Sequence, residues 1–510
     1  MRDHLVFYVN GQRVAVQGPD ASSTLTDFLR TRRRLTGTKV VCNEGDCGAC
    51  SVLVGRPNAG GTALRYEAID ACIAFTFQMD RAHVVTVEGL RETGGGLCAV
   101  QRAMAEGHGS QCGFCTPGIV VTLQGLLEDR PACGGHASHK GQQHNGNRRL
   151  ADDPHPLGED RVRPGLSGNL CRCTGYQQIF DAAAAIDPAE AATMNDRYPP
   201  RPMLDDFARF GDQPVTINAD TPGHPGEVFL PRTLEQAIQF RGANPGCRVA
   251  SGTTDLGVQH NHGRPAADRL LCLRHVDELR RVELTADTLR VGPAATWAEI
   301  DRVAAARVPE YHAILDRFGS PQVRHMGTLV GNLANGSPIA DSLPFHLVTH
   351  TTLTLASPRG RRVVDLNDFY LGYKRLDLAD DELIVAADTP LPRPDQRLRL
   401  YKVSRRRDMD ISTVTAGFLL TLDADDTITA ARVAFGGVGP VAARLPDAEA
   451  ALVGRPLTET TLRDAGRVAR SLVSPLTDVR GGADFRRQLV ENLFVKCYHD
   501  LCDEPALQTA

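Results

Sequence analysis

The spacing of the cysteines constrains this chain more than any other feature. Cys42, Cys47, Cys50 and Cys72 form a C-x4-C-x2-C run with a fourth cysteine downstream. This is the plant-type [2Fe–2S] spacing, in which four thiolates surround two irons. Backbone N–H groups must also point at the sulfurs, and Gly45 and Gly48 let a short loop bend tightly enough for that. Zinc sites usually present two C-x2-C knuckles, which the x4 interval fits poorly. A second set, Cys112-x2-Cys115 with Cys171-x-Cys173, suits either zinc or a cluster on spacing alone. Placement favours the cluster, because Cys115 and Cys173 each sit just ahead of a predicted helix whose N-terminal amides suit an anionic centre. Cys98, Cys133, Cys247, Cys272, Cys497 and Cys502 lack ligand spacing and read as ordinary thiols.

The start, MRDHLVFYVNGQRVAV, mixes charges with apolar residues in the near alternation of a strand. It lacks the apolar core and small-residue cleavage site of a signal peptide, and no run of about 18 apolar residues suggests a membrane span. A cytoplasmic protein with no membrane partner is expected, where disulfides are rare. Ten of the 14 cysteines precede residue 174, so metal in the N-terminal third is the economical use of them. A net charge of −4 argues against nucleic acid as a partner. The local clusters Arg32–Arg34 and Arg405–Arg407 read as solvated faces.

The 510 residues suffice for several domains. Residues 5–9 and 13–17 read as strands around the turn Asn10–Gly11. Thr24 opens a helix, and Ser51–Val54 and Val84–Val87 are further strands of a small β-rich domain over 1–88. Residues 89–187 read as helical, with Thr116 as cap and Pro117 in the first turn of one helix and a second helix after Thr174. Between them a polar insert, 131–164, holds His136, His139, His144 and His155; its composition predicts a mobile loop, with a metal role for the histidines as the lesser alternative. A proline-bearing linker, 188–225, leads to an α/β domain over 226–395. The last part, 396–510, has strand candidates at Val414–Leu422 and Ala431–Phe435. It ends in an amphipathic helix, Asp484–His499, with Phe485, Leu489, Leu493 and Phe494 on one face.

Two loops in the α/β part carry many backbone donors. Arg248-Val-Ala-Ser-Gly-Thr-Thr-Asp-Leu256 joins a short strand to a turn where the amides of Gly252, Thr253 and Thr254 could wrap a pyrophosphate. It is not a G-x-G-x-x-G fingerprint, and alone it reads as an ordinary turn. Gly327-Thr-Leu-Val-Gly-Asn332, followed by Ser337-Pro-Ile-Ala-Asp341, is a second such loop.

A plant-type cluster domain followed by QCGFCTPG (from Gln111) and SGNLCRCTGY (from Ser167) resembles the iron–sulfur part of the xanthine dehydrogenase family of molybdenum hydroxylases. The resemblance continues through the two loops and Tyr401-Lys-Val-Ser-Arg-Arg-Arg-Asp, covering about residues 5 to 500 apart from the insert and parts of the linker. It implies an α+β multidomain fold: a ferredoxin-like β-grasp domain, an all-α [2Fe–2S] domain, an α/β FAD-binding domain and an α+β C-terminal domain. It implies two [2Fe–2S] clusters on the eight cysteines named above. FAD would be lined by Val249, Ala250, Ser251, Gly252, Thr253, Thr254, Asp255, Leu256, Phe318, Thr328, Leu329, Val330, Gly331, Asn332, Asp341, Ile384 and Lys402. Without the resemblance, Phe318 would read as core, Asp341 as a helix cap and Lys402 as a surface charge. Gln111 matches the position that reaches the pterin cofactor across the subunit interface. Here the interval between the cysteine pairs is longer than the family usually shows.

The implied function is electron transfer in oxidation of hypoxanthine and xanthine to urate, with NAD+ as acceptor and no acid, base or nucleophile on this chain. Since the chain ends near 510, the molybdenum cofactor is expected on a separate large subunit, in an α2β2 heterotetramer. The same role in another N-heterocycle or aldehyde oxidoreductase is the alternative within the family. A zinc-stabilised scaffold is the alternative outside it.

Overall fold

Asn10 and Gly11 both have left-handed φ, 49° and 78°, as a two-residue hairpin turn between twisted strands requires. They join β1 (Leu5–Val9) to β2 (Gln12–Val16) in antiparallel register. With β3 (Ser51–Pro57), β4 (Leu64–Asp70) and β5 (His83–Val85) they form a five-stranded sheet ordered β2-β1-β5-β3-β4. Thr24 caps the helix start at Leu25, accepting from the Asp27 N–H. This is a computed structural model describing residues 1–129, 157–219 and 221–503.

The helices Ala99–Glu106, Thr116–Glu128, Glu159–Gly165 and Gln177–Ala184 bury Val100, Ile119, Leu123, Val162 and Ile179 in one core. A second sheet, β6 (Val215–Asn218), β7 (Glu227–Leu230), β8 (Arg248–Ala250) and β9 (Arg269–Cys272), is ordered β6-β7-β9-β8 and is parallel across its last three strands. Its Val215, Val228 and Leu270 share a core with Phe7 of the first sheet and with Phe77 of the short helical turn Thr76–Met79. By contacts these parts make one unit, Met1–Arg232 with Arg248–Cys272 and Ser320–Met326.

The other unit comprises Thr233–Cys247, Leu273–Gly319 and Gly327–Ala510. It has an antiparallel five-stranded sheet whose strands Thr288–Val291, Leu383–Pro390 and Thr352–Ser357 lie at its centre. Trp297, Tyr311 and Phe369 are fully buried against it. A four-stranded antiparallel sheet begins with Gln396–Val403, Val414–Leu422 and Ile428–Gly436. Phe418 and Phe435 of that sheet pack with Phe494 of the terminal helix Ala483–Cys502. The fold class is therefore the multidomain α+β one expected.

Four local expectations change. Thr116 lies inside its helix and Cys115 occupies the cap position, because Pro117 is tolerated anywhere in the first turn. The insert is not a loop to its end: Glu159–Gly165 is helical, anchored by buried Leu157 and Val162. His136, His139, His144 and His155 lie outside the described residues. Gly331 and Asn332 belong to a helix, Leu329–Asn335, capped by the Thr328 side chain. Phe485 departs from its predicted apolar face and is 54% exposed; it stands in the first turn, beyond the reach of the sheet that buries Val490 and Phe494.

Candidate functional site

The loop between Cys42 and Cys50 turns back on itself through three left-handed residues, Asn43, Gly45 and Gly48. A Cβ on Gly45 would stand 2.5 Å from Ile73 Cδ1, and one on Gly48 2.4 Å from the Gly168 carbonyl oxygen. Only glycine fits either position. The fold brings Cys72 up against the loop, and Cys47, Cys50 and Cys72 are buried with Cys42 half-buried. The Cys42 thiol is hydrogen-bonded to those of Cys47 and Cys72, and Cys72 also to Cys50. The Glu44 N–H donates to Cys42 Sγ at 3.4 Å. Hydrogen bonds with Cys47 and Cys72, then backbone N–H groups, hold Cys42 far below the usual thiol range. Burial, then the Cys50 and Cys42 thiols, hold the neighbouring Asp70 well above the carboxylate range.

The second four thiols meet between two helices. Cys173 Sγ lies 3.5 Å from Cys112 Sγ and 3.9 Å from Cys171 Sγ, and Cys115 is hydrogen-bonded to Cys171. Tyr176, itself in the left-handed region, closes this loop: its hydroxyl accepts from the Cys171 N–H at 2.7 Å and donates to the Asn169 carbonyl at 3.0 Å. Burial raises the Cys171 thiol, but hydrogen bonds from Thr174 and the backbone outweigh it and bring it down to about 7. Burial and the Cys171 thiol push Cys115 up to about 12, despite its place at a helix N-terminus. A coordinated metal would reverse that balance, since a ligating thiol is deprotonated outright. Cys112 and Cys173 are exposed, beside Phe114 and Leu170 at 50% and 47% exposure. Gln111 is exposed as well.

Among the described residues, no group of three or more His, Cys, Asp or Glu side chains is arranged to hold a metal ion as the chain stands. The fit of both cradles to a [2Fe–2S] group rests on donor chemistry, four thiols apiece; in the first, an amide aimed at sulfur and turns with no room for a Cβ add to it. No described cysteine is in a disulfide.

Of the residues expected at the flavin, 249–256 fall in the first unit, and Phe318, 328–332, Asp341, Ile384 and Lys402 in the second. In the first unit, Thr253 takes a left-handed φ of 58° at the start of the helix Thr254–Asn261. Its hydroxyl donates to Gln78 Oε1 at 2.7 Å, and Gln78 Nε2 donates to the Ser251 carbonyl. Gly257 lies so close to Ile73 that a Cβ would meet the Ile73 carbonyl oxygen at 2.4 Å, and Asn261 Nδ2 donates to the Cys72 carbonyl at 2.9 Å. The donor-rich turn is thus seated directly on the chain around Cys72. In the second unit, Lys402 Nζ pairs with Asp341 and donates to the Asp410 carbonyl and Ser412 Oγ at 3.0 and 3.1 Å, so its three protons are all engaged within the chain. Ile384 packs in the core, and Phe318 lies against Trp297 with ring centroids 4.8 Å apart. Sequence reasoning assigned no role to Tyr176 and Asn169, which flank Cys171 and Cys173 in the chain, or to Gln322, whose hydrogen bond reaches Asn169 from a position remote in the chain.

Four family descriptions match in order along the chain. They are a 2Fe-2S iron–sulfur cluster binding domain over 7–75 and a [2Fe-2S] binding domain over 86–184. The FAD binding domain in molybdopterin dehydrogenase follows over 224–392, and the CO dehydrogenase flavoprotein C-terminal domain over 399–501. Xanthine dehydrogenase of Drosophila subobscura is 30% identical across 97% of this chain, and that of Emericella nidulans 28% across 98%. Aldehyde oxidase 3 of Rattus norvegicus is 27% identical across 98%. In each case the match takes in 39% of the relative, so the chain spans about two-fifths of the length of these curated relatives. Among solved structures, one titled Cu,Mo-CO dehydrogenase, cyanide-inactivated form, aligns with a TM-score of 0.50 at 23% identity. That alignment covers 53% of this chain and 94% of the other and shows a shared fold. Among the described residues no helix is long and apolar enough to cross a membrane.

Proposed function

We propose that this chain, which is the iron–sulfur and FAD-binding part of a molybdenum hydroxylase (a small subunit or an N-terminal region), carries electrons away from xanthine oxidation rather than performing it. The observation that supports this most is the gathering of eight cysteines into two four-thiol cradles with different surroundings. The cradle of Cys112, Cys115, Cys171 and Cys173 has two exposed thiols flanked by exposed Phe114 and Leu170, which suits a face covered by a partner. The cradle of Cys42, Cys47, Cys50 and Cys72 is mostly buried and adjoins the turn Ser251–Asp255, which suits delivery toward a flavin.

In this reading the chain divides at about 88, 187, 225 and 395, and each cradle holds one [2Fe–2S] cluster. FAD is taken by residues 249–256 and 328–332 with Phe318, Asp341, Ile384 and Lys402. The clusters would pass single electrons, and the flavin would combine them into the hydride that NAD+ accepts. For each turnover, xanthine and water give urate, two protons and two electrons; NAD+ takes both electrons and one proton. What the chain's own residues do is hold and insulate: thiols ligate, the left-handed glycines let amides face sulfur, and burial keeps water from Cys50 and Cys72. A large subunit with the molybdenum cofactor, an α2β2 assembly and a cytoplasmic setting complete the proposal. The 27% likeness to an aldehyde oxidase supports an aldehyde or other N-heterocycle as the second reading.

The test is to purify the chain alone and together with a large molybdenum-binding partner. Alone it should be brown, with about four irons by the two-cluster assignment and one FAD, and should reduce dyes from NADH without oxidising xanthine. With the partner, xanthine should be turned over. Xanthine turnover by the chain alone would contradict the division of labour; turnover of aldehydes but not purines by the pair would select the second reading.

A further inference from the structure

Gln322 comes from the segment Ser320–Met326, which is distant in sequence from both cysteine loops yet belongs to the unit that contains them. It is fully buried. Its Nε2 lies 3.3 Å from Ser51 Oγ, 3.2 Å from Thr122 Oγ1 and 2.8 Å from Asn169 Oδ1. Ser51 follows Cys50, Thr122 lies in the helix that Cys115 caps, and Asn169 precedes Cys171 by two residues. One carboxamide therefore touches the chain around both cradles.

The orientation of this carboxamide is dictated by its neighbours. The Ser51 hydroxyl already donates to the Gly48 carbonyl at 2.8 Å, and the Thr122 hydroxyl to the Gly118 carbonyl at 2.9 Å. Asn169 spends its Nδ2 on the Gly48 carbonyl at 3.2 Å. All three partners can then only accept, and a donor must face them. Turning the amide over would set Oε1 against three oxygens in a buried site, at a cost of order 1–3 kcal/mol for each polar group left unpaired. On the same segment, Val323 packs against Cys50, Cys72 and Ile73, and His325 Nδ1 lies 2.8 Å from the Ala68 carbonyl. Two of the arms, Ser51 and Asn169, converge on the Gly48 carbonyl, in the loop between Cys47 and Cys50. From the other side Leu170 N–H donates to the Cys47 carbonyl at 3.0 Å.

We propose that Gln322 is a positioning residue that sets the separation and mutual orientation of the two cysteine cradles. It does so by donating at once to Asn169 on one loop and Ser51 on the other. The proposal rests on the electron-transfer reading above, since separation of the cradles has a functional readout only if both hold clusters. Dipolar coupling between two paramagnets falls with the cube of their distance, so reduced protein reports that separation directly.

The experiment compares the wild-type chain with Gln322→Met, Gln322→Glu and Asn169→Ala, each as full-length holoprotein. The readouts are iron content, low-temperature paramagnetic resonance after reduction, and amide exchange of the Leu170 segment. Expected for all three variants is iron content close to wild type and both cluster signals, with the magnetic splitting between them reduced or lost and Leu170 exchanging faster. Gln322→Met and Gln322→Glu should agree in direction, because neither supplies the two donors. Retention of the wild-type splitting in folded variants would overturn the proposal. If the Gln322 variants do not fold, Asn169→Ala, which removes one Gln322 arm together with Asn169's own bond to the Gly48 carbonyl, is read beside Ser51→Ala, which removes the other arm; wild-type splitting in both would overturn the proposal. Absence of cluster signals from wild-type protein would overturn the electron-transfer reading itself, and is distinguished by being independent of Gln322.

Discussion

At the scale of single residues, buried polar groups are matched to partners within the fold. Lys402 is buried with its three protons shared among Asp341, Asp410 and Ser412. Removing one member of a buried pair leaves an uncompensated charge, so Lys402→Met should destabilise the unit that holds it by about 3–5 kcal/mol. A thermal melt without added FAD checks this. A loss seen only in flavin-loaded protein would mean that the lysine serves the cofactor and not the fold. His83 illustrates the same rule for a neutral group. Its Nε2 accepts from the Gly11 N–H at 2.9 Å, so its proton must sit on Nδ1, facing Tyr66 Oη at 2.7 Å. Burial lowers it to about 3. The unfolded chain therefore takes up a proton below about pH 6.5 that the folded chain refuses until about pH 3. Stability contributed this way is intact above that range and falls with pH through it, by at most about 1.4 kcal/mol per pH unit for each such histidine. His346, buried and also lowered to about 3, should add the same dependence in the other unit. Melting midpoints that stay level between about pH 7 and about pH 5 would contradict it.

Elements meet at their closest where side chains are missing. Gly118, in the first turn of the helix Thr116–Glu128, lies so near the loop of Cys42–Cys50 that a Cβ would come within 2.1 Å of the Gly48 carbonyl oxygen. Gly118→Ala should gain about 1 kcal/mol in helix propensity and lose about 1–3 kcal/mol to overpacking. Because the clash is with backbone, which cannot rotate away, the loss should win. A lower melting temperature, with weaker retention of iron, is the expected result; a stabilised variant would show that the helix can move off the loop freely. This scale also marks what the sequence made legible. The Asn10–Gly11 hairpin, the strand Val414–Leu422 and the cysteine spacings are signals written in adjacent residues, and they could be read directly. The helix Glu159–Gly165 was hidden because its anchors, Leu157 and Val162, are few among polar neighbours. The exposure of Phe485 was hidden because periodicity places a residue on a helix face but does not say where the covering sheet stops.

At the scale of the whole molecule, the organisation depends on contacts between segments far apart in the chain. Ser320–Met326 joins the unit of the first 232 residues, and nothing local in Pro321-Gln-Val-Arg announces that. The same holds for the pairing of Asp341 with Lys402 and for the seating of Thr253 on Gln78. The cradles were legible because ligand spacing is local; what surrounds and aligns them was not, since it is assembled by tertiary contacts alone. The account stands on those cradles holding iron. An anaerobic redox titration of the purified chain, followed by paramagnetic resonance, tests this most directly. The account predicts two distinct [2Fe–2S] signals, of which Cys50→Ser abolishes one and Cys112→Ser the other. A protein that binds stoichiometric zinc and stays silent on reduction would contradict it.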